Sequence, residues 1–196
     1  MTGEGSPLTG VGFFRSFGDS PLRSFAAAVV ALLVLNSVVE VAGTEREYVR
    51  GYERAAEEVL DGGDGGTVFF SGYLNGNFIF FVRSHDPARR FSVSRSSVDL
   101  FDVEIMAKYG AELKVSTAAD VAEILSRKEI RRIVAEDRNL LEGEEAARAA
   151  ALLEEVLNDP ARCRLLGEVA VESNVEKYRG LKLRIYRFEP LMIARD

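Results

Sequence analysis

The sequence predicts an α/β fold: a three-layer sandwich with a small, mostly parallel sheet, closed at one edge by an antiparallel hairpin and preceded by one transmembrane helix. Three observations carry that expectation. Amphipathic helical stretches alternate with short apolar runs, an order that calls for parallel strands joined by crossover helices. The runs themselves, such as "TVFFS" (Thr67 to Ser71) after a glycine cluster, are continuously apolar, which suits strands buried on both faces. Ahead of them all lies a nearly uninterrupted apolar segment, Ser24 to Gly43.

With 196 residues, 47% of them hydrophobic, the chain is long enough for one domain with a substantial core, and a second full domain would be crowded. A net charge of -6 and scattered basic residues disfavour a nucleic-acid partner, because phosphate binding needs clustered positive charge. One cysteine, Cys163, and one histidine, His85, exclude an intramolecular disulfide and a His/Cys zinc cluster.

Residues 1–23 are rich in Gly, Ser and Pro and read as a flexible lead-in, with Phe13, Phe14 and Phe17 close to the apolar segment. Residues 24–43 follow as the membrane helix. From Phe25 to Gly43 a helix would be ~28 Å long, close to the hydrocarbon thickness. Arg15 and Arg23 precede it while Glu40 and Glu45 follow, so the positive-inside rule places the domain of residues 44–196 on the extracytoplasmic side of the cell membrane. Two other readings stay open: "VAG" at Val41 to Gly43 resembles a signal-peptide end, and Phe25 to Leu35 is short enough for a buried core helix.

Beyond Gly43, Thr44 and Glu47 have the spacing of a capping box, and Tyr48, Tyr52, Ala55 and Val59 fall on one helical face. "DGGDGG" (Asp61 to Gly66) ends that helix as a flexible turn. The first strand, Thr67 to Ser71, leads to a short helix in "NGNFIFFVRSHDP" that stops before Pro87. "FSVS" (Phe91 to Ser94) is the second strand. Val98 to Val115 mixes a helical hint at Ile105, Met106 and Tyr109 with a strand-like "ELKV". Thr117 caps the next helix, which turns Val121, Ile124 and Leu125 to the core. "RRIVAED" is the third strand. "EGEEAARAALLEEVLNDP" is the strongest helix, with Ala149, Leu152, Leu153, Val156 and Leu157 on one face and a stop at Asn158 and Pro160. "CRLLGEVAVES" and "LKLRIYRFEP" alternate apolar with polar residues and read as an antiparallel pair with one wet face.

Ligands of such sheets bind beyond the carboxyl ends of the parallel strands. Three loops gather there, "SGYLNGN", "SRSS" and "EDRN", and they nominate Tyr73, Asn75, Asn77, Arg95, Ser96 and Asp137 as ligand-binding residues. The competing reading makes Gly72 and Gly76 the hinge of a turn and Asn75 and Asn77 caps of the next helix, since no G-x-G-x-x-G or Walker spacing is present. "SHD" at Ser84 to Asp86 holds the residue types of a catalytic triad, but consecutive side chains do not line up as a relay, so it reads as a helix end. Asp99, Asp102 and Glu104 lack the spacing of a cation loop and read as a solvated charge run. Tryptophan is absent, which leaves Tyr73, Tyr178 and Tyr186 as surface aromatics and gives little support to a sugar platform.

A hydrophobic helix followed by "REYVRGYERAAEEVL", "GTVFFSGYLNGNFIFFVR", "DPARRFSVSRSS", "RRIVAED" and "LKLRIYRFEP" resembles the carboxyl-terminal end of a polytopic GT-C glycosyltransferase of the protein O-mannosyltransferase-like branch. The resemblance runs from Phe25 to Pro190 and rests on pattern and order. It implies a family that transfers sugar from a polyprenyl-phosphate donor with an acidic residue in an early extracytoplasmic loop. This chain carries no multi-helix part and no tryptophan-rich acceptor motif, so no catalytic residue is transferred to it. The expected function is that of a membrane-anchored extracytoplasmic domain, non-catalytic alone, that binds an acceptor or steadies a multi-span transferase, with neither cofactor nor metal. A free-standing small-ligand or nucleotide-binding α/β enzyme and a structural interaction module are the alternatives. A deep polar pocket lined by Tyr73, Arg95 and Asp137 would favour the enzyme; a flat, uncharged strand-end surface would favour the others.

Overall fold

The computed structural model describes residues 25, 26, 28–36, 46–63, 65–102 and 112–190. The chain divides into two units, Met1–Arg46 and Glu47–Asp196.

In the first unit, residues 25, 26 and 28–36 are helical (α1), and every described side chain among them is exposed. The predicted span from Phe25 to Gly43 continues onto residues outside the described set. Among the described residues no helix is long and apolar enough to cross a membrane.

The second unit is an α/β domain built on a five-stranded sheet in the order β3-β2-β6-β9-β7. Its strands are β2 (Gly66–Ser71), β3 (Phe91–Arg95), β6 (Ile130–Glu136), β7 (Cys163–Ala170) and β9 (Lys182–Phe188). β2 pairs in parallel with both β3 and β6, as the three apolar runs predict. β9 pairs antiparallel with β6 on one side and β7 on the other. The pairing is therefore two parallel and two antiparallel, a mixed sheet rather than a mostly parallel one. The hairpin's return strand has inserted itself next to the parallel half, which leaves β7 at the edge.

Alternation along each central strand fills both faces. Val68 and Phe70 of β2 join Val134, Leu183 and Ile185 under α2 (Tyr52–Asp61) and α3 (Asn75–His85). Phe69, Ile133, Ala135, Tyr186 and Phe188 lie on the other side, under α5 (Ala118–Arg127) and α6 (Glu144–Leu157). The expected wet face of the hairpin is thus dry along β9, because α6 covers Tyr186 and Phe188. The α5 cap is as predicted: Thr117 accepts from the Asp120 backbone N–H while Asp120 accepts from the Thr117 N–H.

Two local expectations change, and the mixed stretch resolves with the strand hint in "ELKV" borne out at Glu112–Leu113. The helix beginning at Thr44 starts instead at Tyr52, because Gly51 sits at φ 109° and breaks the turn, and Val49–Arg50 (β1) pairs with Glu172–Ser173 (β8). Thr44 of the predicted capping box lies outside the described residues. In the mixed stretch after β3, a single helical turn, α4 (Ser96–Asp99), precedes a ribbon of β4 (Phe101–Asp102) and β5 (Glu112–Leu113). Ile105, Met106 and Tyr109 fall outside the described residues. Asn75 and Asn77 stand within the first turn of α3, whose N-cap position is Leu74 and has no side-chain cap, so neither asparagine caps the helix.

Candidate functional site

Chain order fixes where a crevice opens. From β2 the chain passes through α3 to β3 on one side, and from β3 through α5 to β6 on the other side of β2. The two crossovers cover opposite faces, so they part at the carboxyl ends of β2 and β6. A cavity of about 410 Å³ lies there. Ser71, Gly72 and Tyr73 line it from the end of β2, Glu136, Asp137 and Arg138 from the end of β6, and Arg184 and Glu154 from β9 and α6.

Glu136 organises the crevice mouth. It is buried, and its Oε1 accepts a 2.7 Å hydrogen bond from Tyr52 Oη and a long 3.5 Å contact from the Leu74 N–H. The carboxylate stands at the amino end of α3, where free backbone N–H groups and the helix dipole favour negative charge. Gly72 makes the approach feasible: a Cβ there would lie 2.5 Å from the Glu136 carboxyl. Burial pushes the Glu136 carboxyl above its ordinary value, opposed by hydrogen bonds from Tyr52 and the Tyr73 and Leu74 backbone. Its Oε2 is buried without a partner among the described residues. The Tyr52 hydroxyl is pushed far above the ordinary phenol range, mainly by burial and then by the neighbouring carboxylate, and stays a neutral donor.

The remaining polar groups are largely tied to one another. Arg184 grips Glu154 through two hydrogen bonds of 3.0 and 2.7 Å, and that pairing is the first cause of its raised pKa. Asp137 accepts from the Lys182 N–H at 3.0 Å. Arg138 donates to the Arg179 carbonyl at 2.8 Å. Tyr73 is exposed, with the Lys177 ammonium 3.5 Å from its ring centroid and Tyr178 tilted beside it. This is a hydrogen-bonding rim with an aromatic edge. Among the described residues the Ser71 hydroxyl has no base bonded to it, and Cys163, on the far part of the sheet, is buried with its thiol pushed up to about 11.

Of the six nominated residues, Tyr73 and Asp137 line the crevice. Asn75 and Asn77 belong to the first turn of α3, Arg95 ends β3 on the exposed surface, and Ser96 is buried at the start of α4. β3 is an edge strand separated from β6 by β2, so its end loop does not reach the crevice. Glu136, Tyr52, Arg184 and Glu154 were not nominated. Glu136 carried one signal, a charge closing the buried run "RIVA", but its neighbour Asp137 was nominated in its place.

Two other polar clusters come from residues singled out above. Asp99 is buried, takes a 2.6 Å ion pair from Lys128 and accepts from Ser94 Oγ, so it is a neutralised structural carboxylate and not part of a solvated charge run. His85, at the end of α3, lies 3.1 Å from Glu53, and Glu57 completes a set of exposed groups whose ligand atoms all lie within 4.8 Å of one another. A single histidine with two carboxylates is a donor set for a divalent metal, and the Glu53–His85 hydrogen bond accounts for it without one.

The chain matches no protein-family model, no curated protein and no solved structure.

Proposed function

We propose that the chain is a membrane-associated α/β module, non-catalytic by itself, that binds or steadies a multi-span polyprenyl-phosphate-sugar transferase from the extracytoplasmic side. One observation carries the membrane part. Helix α1 exposes Phe25, Val30, Leu32, Leu33, Val34 and Leu35, apolar on every side, and such a helix needs an apolar environment. The transferase part rests on the resemblance of the whole pattern to glycosyltransferase tails. The test is fractionation of cells making the full chain, followed by labelling of single cysteines introduced at Glu45 and beyond. Retention in the membrane pellet at high salt, release by L32K/L33K and labelling from outside support the proposal. A wild-type chain in the soluble fraction, or labelling from the cytoplasmic side alone, refutes it.

The crevice favours a second reading, a module that binds a small hydroxylated ligand. The Glu136 carboxylate already occupies the amino end of α3, the place where a nucleotide phosphate would otherwise be held. The ligand class that fits is therefore neutral or cationic rather than a nucleotide. Saturation-transfer NMR with neutral sugars and with nucleotides separates them: signal from the sugars, lost in D137N/R138Q, supports this reading, and signal from nucleotides alone contradicts it.

A further inference from the structure

At the opposite end of the sheet, one row of cross-strand neighbours is occupied by arginines. Arg132 of β6 stands opposite Arg187 of β9, and Arg187 stands opposite Arg164 of β7. Directly opposed residues project to the same face, and like charges so placed repel. Arg132 is half-buried, and among the described residues its side chain has neither a hydrogen bond nor an ion pair. Desolvation first, and then Arg187, lowers its pKa. Among the described residues the guanidinium thus stands beside a like charge with no counter-ion of its own.

The surroundings leave room for one. A cleft of about 470 Å³ opens at this end, lined by Arg131, Arg132 and Arg187 and by the glycine turn after α2. The turn is fitted to the guanidinium: a Cβ on Gly62 would come within 2.8 Å of Arg132, and one on Gly63 within 3.3 Å. Two carboxylates also face the cleft, Glu129 and Glu189. Glu189 pairs with Arg187 at 2.9 Å, but both side chains are exposed, and such a pair is weak and yields readily to a better anion. Arg132 and Arg187 together offer the planar N–H donors that match a phosphate.

We propose that this cleft is a phosphate-binding site, with Arg132 and Arg187 as its two clamps, taking the phosphate of a soluble compound or of a lipid headgroup. The site is independent of the strand-end crevice and of the function proposed above.

Isothermal titration of the full chain in a zwitterionic detergent tests it, with pyrophosphate and, separately, a short-chain phosphatidic acid below its micelle concentration. Saturable binding of either, weakened at least about tenfold in R187Q, supports the site, since a charge-assisted hydrogen bond is worth that much. Pyrophosphate alone identifies a soluble ligand, and phosphatidic acid alone a headgroup. Arg187 is exposed, so R187Q folds as wild type does, and an unchanged circular dichroism spectrum checks this. R132K, which keeps the charge but loses the planar fork, should also weaken binding. No binding of either probe, or binding unchanged in R187Q, overturns the proposal.

Discussion

Tyr52 Oη donates a 2.7 Å hydrogen bond to Glu136 Oε1, joining two residues 84 positions apart. The bond ties α2 to the end of β6, and the same oxygen also takes a long contact from the Leu74 N–H just ahead of α3. Tyr52→Phe keeps the ring and removes only the donor, leaving a buried carboxyl short of a partner. The expected loss is about 1–3 kcal/mol of unfolding free energy. Urea denaturation of the two proteins measures it, and an unchanged midpoint with an unchanged slope would show that the bond is not formed.

Glu136 also sets a pH dependence with an unusual sign. Its folded pKa is raised, so between the ordinary glutamate value of about 4.3 and that higher value the folded state holds a proton that the unfolded chain has released. Stability from this group is therefore greatest at low pH and falls as pH rises through that window. Asp120 acts in the opposite sense. Backbone hydrogen bonds from Ser116 and Thr117 lower its pKa, so its contribution is present above the ordinary aspartate range and fades as pH falls through the folded value. Denaturation at a series of pH values for wild type and Glu136→Gln isolates the first effect. Wild type should lose stability relative to the glutamine variant as pH rises, and a relative gain would contradict the assignment.

The layer order was legible in the sequence because each helix and strand carries its own local pattern. Thr117 announces α5, the short strand-like runs announce β2, β3 and β6, and glycine and proline punctuate between them. What escaped is non-local. Tyr186 alternates with charged neighbours and reads as wet, but α6 comes back over it and Phe188. β1 and β8 are two residues each, too short for any periodicity. The crevice was found as a place through Tyr73 and Asp137, while Glu136 was missed because its partner Tyr52 is brought to it only by folding.

Gly51 is where the helix predicted from Thr44 gives way to a strand. At φ 109° a side chain is strained, and a Cβ would stand 2.6 Å from the Ala170 carbonyl oxygen, a backbone atom that cannot swing aside. Gly51→Ala should cost about 1–3 kcal/mol from the combination of strain and overpacking. Gly76, which has open space at its Cβ position, is the matched control inside α3. Its alanine variant should be neutral or stabilising by about 0.5–1 kcal/mol. Thermal unfolding of the two variants side by side checks the contrast, and equal shifts in the same direction would refute it.

The last prediction concerns what caps α3. Local chemistry assigns the task to Asn75 and Asn77, and loss of such caps would cost about 0.5–2 kcal/mol each. In the structure the N-cap position is Leu74, no side chain caps the helix, the Asn77 N–H donates to the Leu74 carbonyl, and Glu136, 62 positions from Leu74, takes a long 3.5 Å contact from the Leu74 N–H. The double variant N75A/N77A should therefore change stability by no more than about 0.5 kcal/mol, as surface substitutions outside any special contact do. Glu136→Ala should do far more, because it strands the buried Tyr52 hydroxyl, worth about 1–3 kcal/mol without a partner, and also removes the long contact from the Leu74 N–H. Glu136→Gln, which keeps an acceptor oxygen, should fall between them. Hydrogen exchange at the Leu74 amide, the one that reaches Glu136, then distinguishes a helix-end effect from general destabilisation. Protection there should drop in Glu136→Ala beyond the global change and stay intact in N75A/N77A, and the reverse pattern would return the cap to the asparagines.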